Sequence, residues 1–342
     1  MEFKIFNSFD NLASRLDDWN QILKESASHV PFLTYEYQST WWETRGGGEW
    51  PEDSQLVLAA AFEGENLVGV APLFFTENIL GKPALMLVGS IEVSDFLDFI
   101  VRPEDLPAFT EGLLDILSSD PEVPEWAVLD LYNLLEESPT LAALEVAAGQ
   151  LGWAYKKVHL QPSPYIELPG DFETYLAEID KKQRHEIRRK LRNVEQSLEV
   201  GGFYIVDDAA QVEADTAAII KMMAQDPTKK DFLTAEMRTH LHKTARMAFE
   251  AGWLHLAFFT LDGHKAAGNF SFNFDGRLWL YNSGWEWDYR DFSPGWVLVA
   301  YLIEWANQND IREFDFMRGN EAYKYKFGAV DRHIYRIVVE RG

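Results

Sequence analysis

The chain has 342 residues, a formal net charge of −24, and 47% hydrophobic and 14% aromatic residues. This length exceeds one typical core and predicts two folded domains, while the apolar content excludes a disordered protein. The absence of cysteine excludes disulfides, thiolate metal ligands and a cysteine nucleophile. His240 and His242 are two apart on a predicted helix and do not face together, and there is no HExxH motif, so we expect no metal site. So acidic a chain is also a poor partner for duplex nucleic acid.

The beginning of the chain, MEFKIFNSFDNLASRLDDW, carries acidic residues and no long apolar run, so we expect no signal peptide. Elsewhere the longest apolar runs, such as 296–303, fall far short of the roughly 20 residues that a membrane span requires. The sequence therefore predicts a cytoplasmic protein without a membrane span.

Residues 1–160 show alternating helix and strand signals. Helices are predicted over 10–26, 31–46, 106–119 and 141–152, a hairpin over 55–75, and strands over 84–90, 94–101 and 126–134. Tyr35 and Trp42, with their aromatic neighbours, form either a stacking platform for a sugar or peptide or part of the core. Asp95 and Asp98 either bind substrate hydroxyls or an amine, or solvate a strand end.

Three prolines within eight residues predict a linker and an edge strand over 159–172, and hence a domain boundary near residue 160. The two predicted domains, 1–160 and 161–342, differ in charge. The first holds 27 acidic and 8 basic side chains, and the second holds 28 and 23.

A basic helix of roughly 28 residues is predicted over 171–200. Its segment 181–192 contains seven Lys or Arg residues in twelve. Arg184, His185 and Arg188 fall on one stripe of this helix. The stripe is either a solvated face or a surface for a phosphate or carboxylate ligand, which would offset the repulsion between like charges at i,i+4.

After this segment, helices are predicted over 211–224, 234–250 and 293–309, three antiparallel strands over 253–284, and strands over 312–319 and 333–340. Ser293 and Pro294 are typical of a helix N-cap and first position, and Gly295 leaves that end accessible. Such an end favours an anion such as pyrophosphate. The alternative is an ordinary Ser-Pro helix start.

The segment FDFMRGNEAYKYKFG, 314–328, follows a predicted strand with polar side chains. It provides a carboxylate at Asp315, cations at Arg318 and Lys324, and a phenol at Tyr323. A carboxylate at a strand end beside a Tyr and a Lys can serve as base, acid and anion clamp. The alternative is a surface turn with a salt bridge.

Taken together, PFLTYEYQSTWW, SDFLDF, KKQRHEIRRKLR, LYNSGW with its SPG loop, and FDFMRGNEAYKYKFG resemble the GNAT-type acyltransferases of the CelD-like branch. These proteins are related to the FemAB aminoacyltransferases of peptidoglycan assembly. The resemblance spans nearly the whole chain and is strongest over 165–330. It implies an α+β fold of two tandem GNAT-like domains, each a mostly antiparallel sheet flanked by helices, with the donor site in the second.

The resemblance also implies a loop, 290–295, that cradles the pyrophosphate of acyl-CoA. Here bulkier residues replace the usual small ones, and Pro294 removes one backbone donor. FemAB relatives use aminoacyl-tRNA as the carrier instead, but the long helical hairpin of FemAB proteins is not evident in this sequence.

We therefore expect an acyltransferase that acts on an amine of a small molecule or of a cell-envelope or polysaccharide precursor. Asp315 or Glu286 would accept the amine proton, Tyr323 would protonate the leaving group, and Lys324 would hold a substrate anion. The expected carrier-binding residues are Asn282, Ser283, Arg290, Ser293 and Gly295, with a backbone N–H of 282–284 facing the oxyanion. The expected substrate-binding residues are Tyr35, Trp42, Asp95, Asp98, Arg184, His185, Arg188 and Arg318.

Two other functions fit the sequence. One is a non-catalytic GNAT-like module that binds envelope glycans through Trp41, Trp42 and the tryptophans at 285–287. The other is tRNA-dependent aminoacyl transfer, against which the strong negative charge of the first half counts.

Overall fold

The structure is a computed structural model that describes residues 1–197 and 201–341. The chain forms two compact units, one of Met1–Gln161 with His333–Gly342 and one of Pro162–Arg332. It passes from the first unit to the second within strand β7 (Ala154–Glu167) and returns within strand β13 (Val330–Glu340). The ten C-terminal residues, which the sequence-based boundary groups with the second domain, therefore lie in the first unit.

The first unit is built on strands in the order β1-β2-β3-β4-β6-β13, next to which lies the part of β7 up to Gln161, and β5 pairs with β3. Its other strands are β1 (Glu2–Phe6), β2 (Gln55–Glu63), β3 (Asn66–Glu77), β4 (Pro83–Leu87), β5 (Ile100–Val101) and β6 (Val128–Leu135). Its helices are α1 (Leu16–Glu25), α2 (Tyr35–Gly48), α3 (Leu106–Ser119) and α4 (Thr140–Gln150), with short 3-10 turns over Phe9–Arg15 and Pro31–Leu33.

The second unit has the strand order β8-β9-β10-β11-β12-β7. Its other strands are β8 (Gly201–Ile205), β9 (Leu254–Leu261), β10 (His264–Phe274), β11 (Arg277–Trp285) and β12 (Glu313–Asp315). Its helices are α5 (Phe172–Glu178), α6 (Lys181–Ser197), α7 (Ala209–Met223), α8 (Pro227–Lys230), α9 (Ala235–Glu250), α10 (Pro294–Gln308) and α11 (Ala322–Lys326), with a 3-10 turn over Trp287–Phe292.

The two sheets repeat one topology. In the part of each unit that the structure describes, four antiparallel strands come first, a parallel pair follows, and an antiparallel strand closes the order. The parallel pair is β4 with β6 in the first unit and β11 with β12 in the second. This repeat confirms the predicted α+β class, with a mostly antiparallel sheet flanked by helices in each unit.

The predicted long helix over 171–200 is instead two helices, α5 and α6, separated at Ile179 and Asp180. The Asp180 carboxylate accepts the backbone N–H groups of Lys182 at 2.8 Å and Gln183 at 3.3 Å. Asp180 therefore acts as the N-cap that starts α6, a role for which aspartate is strongly preferred. Residues 198–200 of the predicted helix lie outside the described residues.

Strand lengths also differ from the prediction. Of the predicted strands 94–101 and 312–319, only Ile100–Val101 and Glu313–Asp315 are strands, and β1 and β8 were not predicted. Pro162 and Pro164 of the proline-rich segment lie within β7. Their carbonyls accept the N–H groups of Gly319 and Phe316, respectively, each at 3.0 Å. Proline lacks only the donor, so it serves as an acceptor in such a pairing.

A buried carboxylate ties together three segments of the first unit. Asp98 is 1% exposed and accepts the hydroxyls of Ser28, Ser138 and Thr140, each at 2.6 Å, and its own neighbour's N–H, that of Phe99, at 2.8 Å. Burial raises the pKa of Asp98, and these four hydrogen bonds oppose that shift. Asp98 thus supports the fold from within rather than facing solvent.

We predict that Asp98→Ala lowers the free energy of unfolding by about 2–4 kcal/mol, because it strands several buried donors at once. Urea denaturation measures the change, with Asp53→Ala at an exposed position as the matched control. A loss no larger than that of the control would contradict the structural role of Asp98.

Candidate active site

Strands β11 and β12 separate at the centre of the second unit. They pair in parallel at Leu278 with Phe314 and Trp279 with Asp315, where β12 ends, while β11 continues along β10 to Trp285. A bulge accompanies the separation. Phe270 of β10 pairs with Asn282 of β11, but the next residue, Ser271, pairs with Leu280, so β11 has one extra residue here. Such bulges are frequent beside active sites. Residues 282–285 of β11, here called the open edge, extend beyond the end of β12.

Backbone polarity along the open edge follows from the pairing with β10. Glu286 donates its N–H to Ala266 at 2.9 Å, so alternation turns the N–H and C=O of Ser283 toward the opposite side. The Lys229 ammonium donates to the Ser283 carbonyl from that side, at 2.9 Å. Burial lowers the pKa of Lys229, while Asp226 and Glu321 raise it. A cation and a backbone N–H therefore lie along this edge.

Helix α10 begins next to the open edge. Ser293, in the left-handed region at φ 53°, precedes Pro294, and the first backbone donors of the helix are those of Gly295 and Trp296. These early N–H groups have no partner within the helix and carry the positive end of its dipole. A side chain at Gly295 would meet the Trp285 ring, since an added Cβ would lie 3.6 Å from Trp285 Cδ1.

Two lysines flank this helix start. Lys190 Nζ donates to Ser293 Oγ at 2.6 Å and lies 5.2 Å from the centre of the Trp296 ring, and Lys326 Nζ lies 5.7 Å from the same ring. Burial lowers the pKa of Lys190, although Glu186 opposes this shift. Two ammonium groups and the free N–H groups of α10 thus converge, an arrangement suited to a phosphate.

The loop after β12 is held by two buried charged groups, of which Asp315 is the first. Its carboxylate is paired with Arg332 and accepts the Met317 N–H at 2.6 Å, and Arg332 also binds Glu313 at 2.5 Å. Burial raises the pKa of Asp315 to about 6, although the Arg332 charge lowers it. With no exposed surface, Asp315 positions the loop rather than facing a substrate.

Lys324 is the second of these groups. It is 2% exposed and donates to the carbonyls of Met317 at 3.1 Å, Arg318 at 2.7 Å and Gly319 at 3.1 Å, and it pairs with Glu321 at 2.9 Å. These contacts use the donors of the ammonium group. In this structure Lys324 therefore fixes the loop 317–319 and does not present its charge to a substrate anion.

Exposed aromatic rings surround the same region. The exposed large hydrophobic side chains of the described part of the second unit are Trp285, Trp287, Tyr323, Tyr325 and Val330. Trp285 and Trp287 are stacked, with ring centres 6.1 Å apart and planes inclined by 21°. Exposed aromatic rings beside a cationic helix start are suited to a base or a sugar.

The other predicted residues of the second unit lie around this region. Glu286 accepts a hydrogen bond from Gln225, which also accepts the Trp287 N–H at 3.2 Å. Tyr323 packs edge-on against Phe316 and is 36% exposed, so most of its surface is covered. This partial burial, together with Glu321, raises the pKa of the Tyr323 phenol, which stays protonated at neutral pH. Asn282 and Arg318 are half-buried, and Arg290 is exposed in the 3-10 turn before α10.

The basic helix contributes less to this region than its charge indicates. Arg184 donates to the carbonyls of Leu176 at 3.3 Å and Ala177 at 3.2 Å, at the end of α5, and Arg188 is paired with Glu173. His185 is exposed. The side chain of α6 that reaches the start of α10 is Lys190, and sequence reasoning missed it, as it missed Lys229 and Gln225.

The predicted first-unit residues are mostly occupied within that unit. The Tyr35 hydroxyl donates to the Phe9 carbonyl at 2.8 Å, and Tyr35 is 8% exposed. The Arg45 guanidinium lies over the Trp42 ring, with Cζ 3.5 Å from the ring centre. Asp95 is half-buried. These contacts favour the core alternative for Tyr35.

Residues 1–197 and 201–341 contain no helix both long and apolar enough to cross a membrane. Within the same residues, no group of three or more His, Cys, Asp or Glu side chains is arranged to hold a metal ion.

Comparison with known proteins identifies the domain in the second unit. Residues 181–325 match the family described as the acetyltransferase (GNAT) domain, whereas comparison with curated proteins gives no match. This segment is therefore similar to the acetyltransferase (GNAT) domain family, and β11, α10 and β12 lie inside the matched range.

Solved structures show the same fold along almost the whole chain. FemX is similar with a TM-score of 0.67 and 12% identity, over 98% of this chain and 97% of FemX. L-PGS from Bacillus licheniformis is similar with a TM-score of 0.59 and 12% identity, over 95% and 91%. A tandem GNAT protein from the clavulanic acid biosynthesis pathway has a TM-score of 0.51 and 12% identity, over 98% and 97%. With the domain match, these similarities confirm the fold that the resemblance implies, that of GNAT-like domains along the chain.

We predict that Lys324→Met lowers the free energy of unfolding by about 1–3 kcal/mol, because it leaves three carbonyls of the 317–319 loop without their donor. Urea denaturation and hydrogen exchange of this loop measure the effect. Lys221→Met, at an exposed position on α7, is the control. Equal stability and equal exchange in the two variants would show that Lys324 does not hold the loop.

Proposed function

We propose that the protein transfers an acyl group from a phosphate-bearing carrier, acyl-CoA or aminoacyl-tRNA, to an amine. The observation that supports this most is the convergence of the open edge of β11, the start of α10, and two lysines, Lys190 and Lys326. The edge offers a place for an acyl group, and the helix start offers one for a phosphate.

In this proposal the carrier phosphate accepts the N–H groups of Gly295 and Trp296 and faces Lys190 and Lys326. The geometry refines the loop expected from the sequence. The Ser293 hydroxyl accepts a hydrogen bond from Lys190, and Pro294 has no N–H. The loop therefore offers a phosphate fewer backbone donors than a glycine-rich loop, and the two lysines would bind the phosphate in their place.

The acyl carbonyl would lie along the open edge, where the Ser283 N–H points away from β10. The amine nitrogen attacks the carbonyl carbon, the oxygen becomes an oxyanion that accepts the Ser283 N–H, and Lys229 lies beside it. The tetrahedral intermediate then collapses, the bond to the carrier sulfur or ribose oxygen breaks, and the acyl group stays on the amine.

Protons are handled by groups at the two ends of this edge. Glu286, at the end of β11, would accept the proton that the attacking amine loses. Tyr323, kept protonated by its raised pKa, would give a proton to the departing sulfur or oxygen. Asp315 and Lys324 would act indirectly by fixing the loop that carries Arg318. Arg318 remains our candidate for a contact with the acceptor.

The resemblance to the FemAB branch supports, as the acceptor, an amine on a cell-envelope or polysaccharide precursor. Both carriers and such precursors occur in the cytoplasm, where we place the protein.

A second function is favoured by the exposed, stacked pair Trp285 and Trp287. These rings could bind a glycan without any transfer reaction.

Calorimetric titration with free CoA, acetyl-CoA, an aminoacyl-tRNA and a cell-envelope glycan, at low and moderate salt, tests the proposal. We expect one of the two carriers to bind, and Gly295→Trp to abolish its binding by filling the helix start. Binding of glycans alone, with neither carrier, would favour the non-catalytic module and reject the transferase.

Charge reversal on α6 provides a matched pair of variants. We predict that Lys190→Glu weakens carrier binding by at least about tenfold, roughly 1.4 kcal/mol, and that added salt reduces the difference. Arg192→Glu is the control, because Arg192 is exposed, lies on the same helix and donates to the Arg188 carbonyl of that helix at 3.3 Å. Equal affinities of the two variants for the carrier would exclude Lys190 from the phosphate site.

A further inference from the structure

Two histidines of the first unit meet at its surface, outside the region proposed for the carrier. His159 lies on β7 and His333 on β13, and His159 Nε2 is 3.0 Å from His333 Nδ1. Their ring centres are 4.9 Å apart and their planes are inclined by 67°. One nitrogen of each ring thus points at the same small volume. Because the two histidines are 174 positions apart, no short metal-binding motif of the sequence contains both of them.

This arrangement fits a shared metal ion. Zinc binds imidazole nitrogen at about 2.0–2.1 Å, so two nitrogens on one tetrahedral zinc lie about 3.3–3.4 Å apart. The observed separation needs a change of only a few tenths of an ångström. A bound ion would replace the proton that one ring now donates to the other. Because His159 is exposed, water can complete the coordination.

The surroundings support a cation more than an anion at this place. Residues 1–160 hold 27 acidic and 8 basic side chains, and such a field concentrates cations. A carboxylate also lies close to His333, since Glu136 Oε1 accepts the backbone N–H of His333 at 2.9 Å. Lys157 opposes a cation, but its ammonium lies over the Tyr335 ring, 4.6 Å from the ring centre. The Tyr335 ring also holds His159 edge-on at 5.5 Å.

We propose that His159 and His333 form a binding site for a divalent transition-metal ion of the kind that imidazole prefers, Zn²⁺ or Cu²⁺. The ion would join β7 to β13, the strands in which the chain leaves the first unit and returns to it. The site is independent of the proposed transfer reaction and uses none of its residues.

Calorimetry with ZnCl₂ tests the site. We expect one saturable ion per chain in the unaltered protein and a loss of affinity of at least about tenfold in both His159→Ala and His333→Ala. His264→Ala, which removes an exposed histidine from β10 in the second unit, should bind like the unaltered protein. No saturable binding, or an unchanged isotherm in the double variant H159A/H333A, would overturn the proposal.

Electron paramagnetic resonance with one equivalent of Cu²⁺ provides a readout that does not depend on affinity. Two coordinated imidazole nitrogens should appear in the unaltered protein and one in each single variant. The same nitrogen count in the unaltered protein and the variants would assign the copper to another place and reject this site. Circular dichroism checks that each variant remains folded.

Discussion

The separation of β11 from β12 depends on one buried ion pair. Asp315 ends β12 with no exposed surface, paired with Arg332 and accepting the Met317 N–H. A buried carboxylate is costly unless its charge and its lone pairs are both satisfied, so the chain turns at Met317, whose φ is 63°. Lys324 then holds the carbonyls of the same turn. With the chain directed away at this point, β11 continues without β12 beside it, and the open edge results.

The charge distribution makes this edge unusual in an acidic protein. Among the cations of α6, Arg188 pairs with Glu173 and Arg189 with Glu186. Lys190 lies 3.7 Å from Glu186 as well, but its ammonium donates to Ser293 at the start of α10, where the helix dipole is also positive. Like charges and aligned N–H groups gathered at one place cost free energy unless an anion binds there. The proposed carrier phosphate would supply that anion, and burial already lowers the pKa of Lys190 in its absence.

Local patterns in the sequence predict most of the elements, because apolar periodicity, Asp-Gly turns and the Ser293-Pro294 helix start act over a few residues. The break at Asp180 was also readable, since Asp is a preferred N-cap, but the continuous basic run concealed it. Which lysine of α6 reaches the site could not be predicted. Lys190 is selected by its contact with Ser293, 103 positions away, and Lys229 by one with Ser283, 54 positions away. The roles of Asp315 and Lys324 likewise depend on burial, which residue type alone does not reveal.

Hydrogen–deuterium exchange with the bound carrier tests the account most directly, since it locates the carrier without knowledge of the acceptor. At saturation with whichever carrier binds, the account predicts slower exchange in peptides covering 282–285 and 294–297, and no change over 35–45 in the first unit. Binding accompanied by protection only in the first unit, or by none at the open edge and the start of α10, would contradict it.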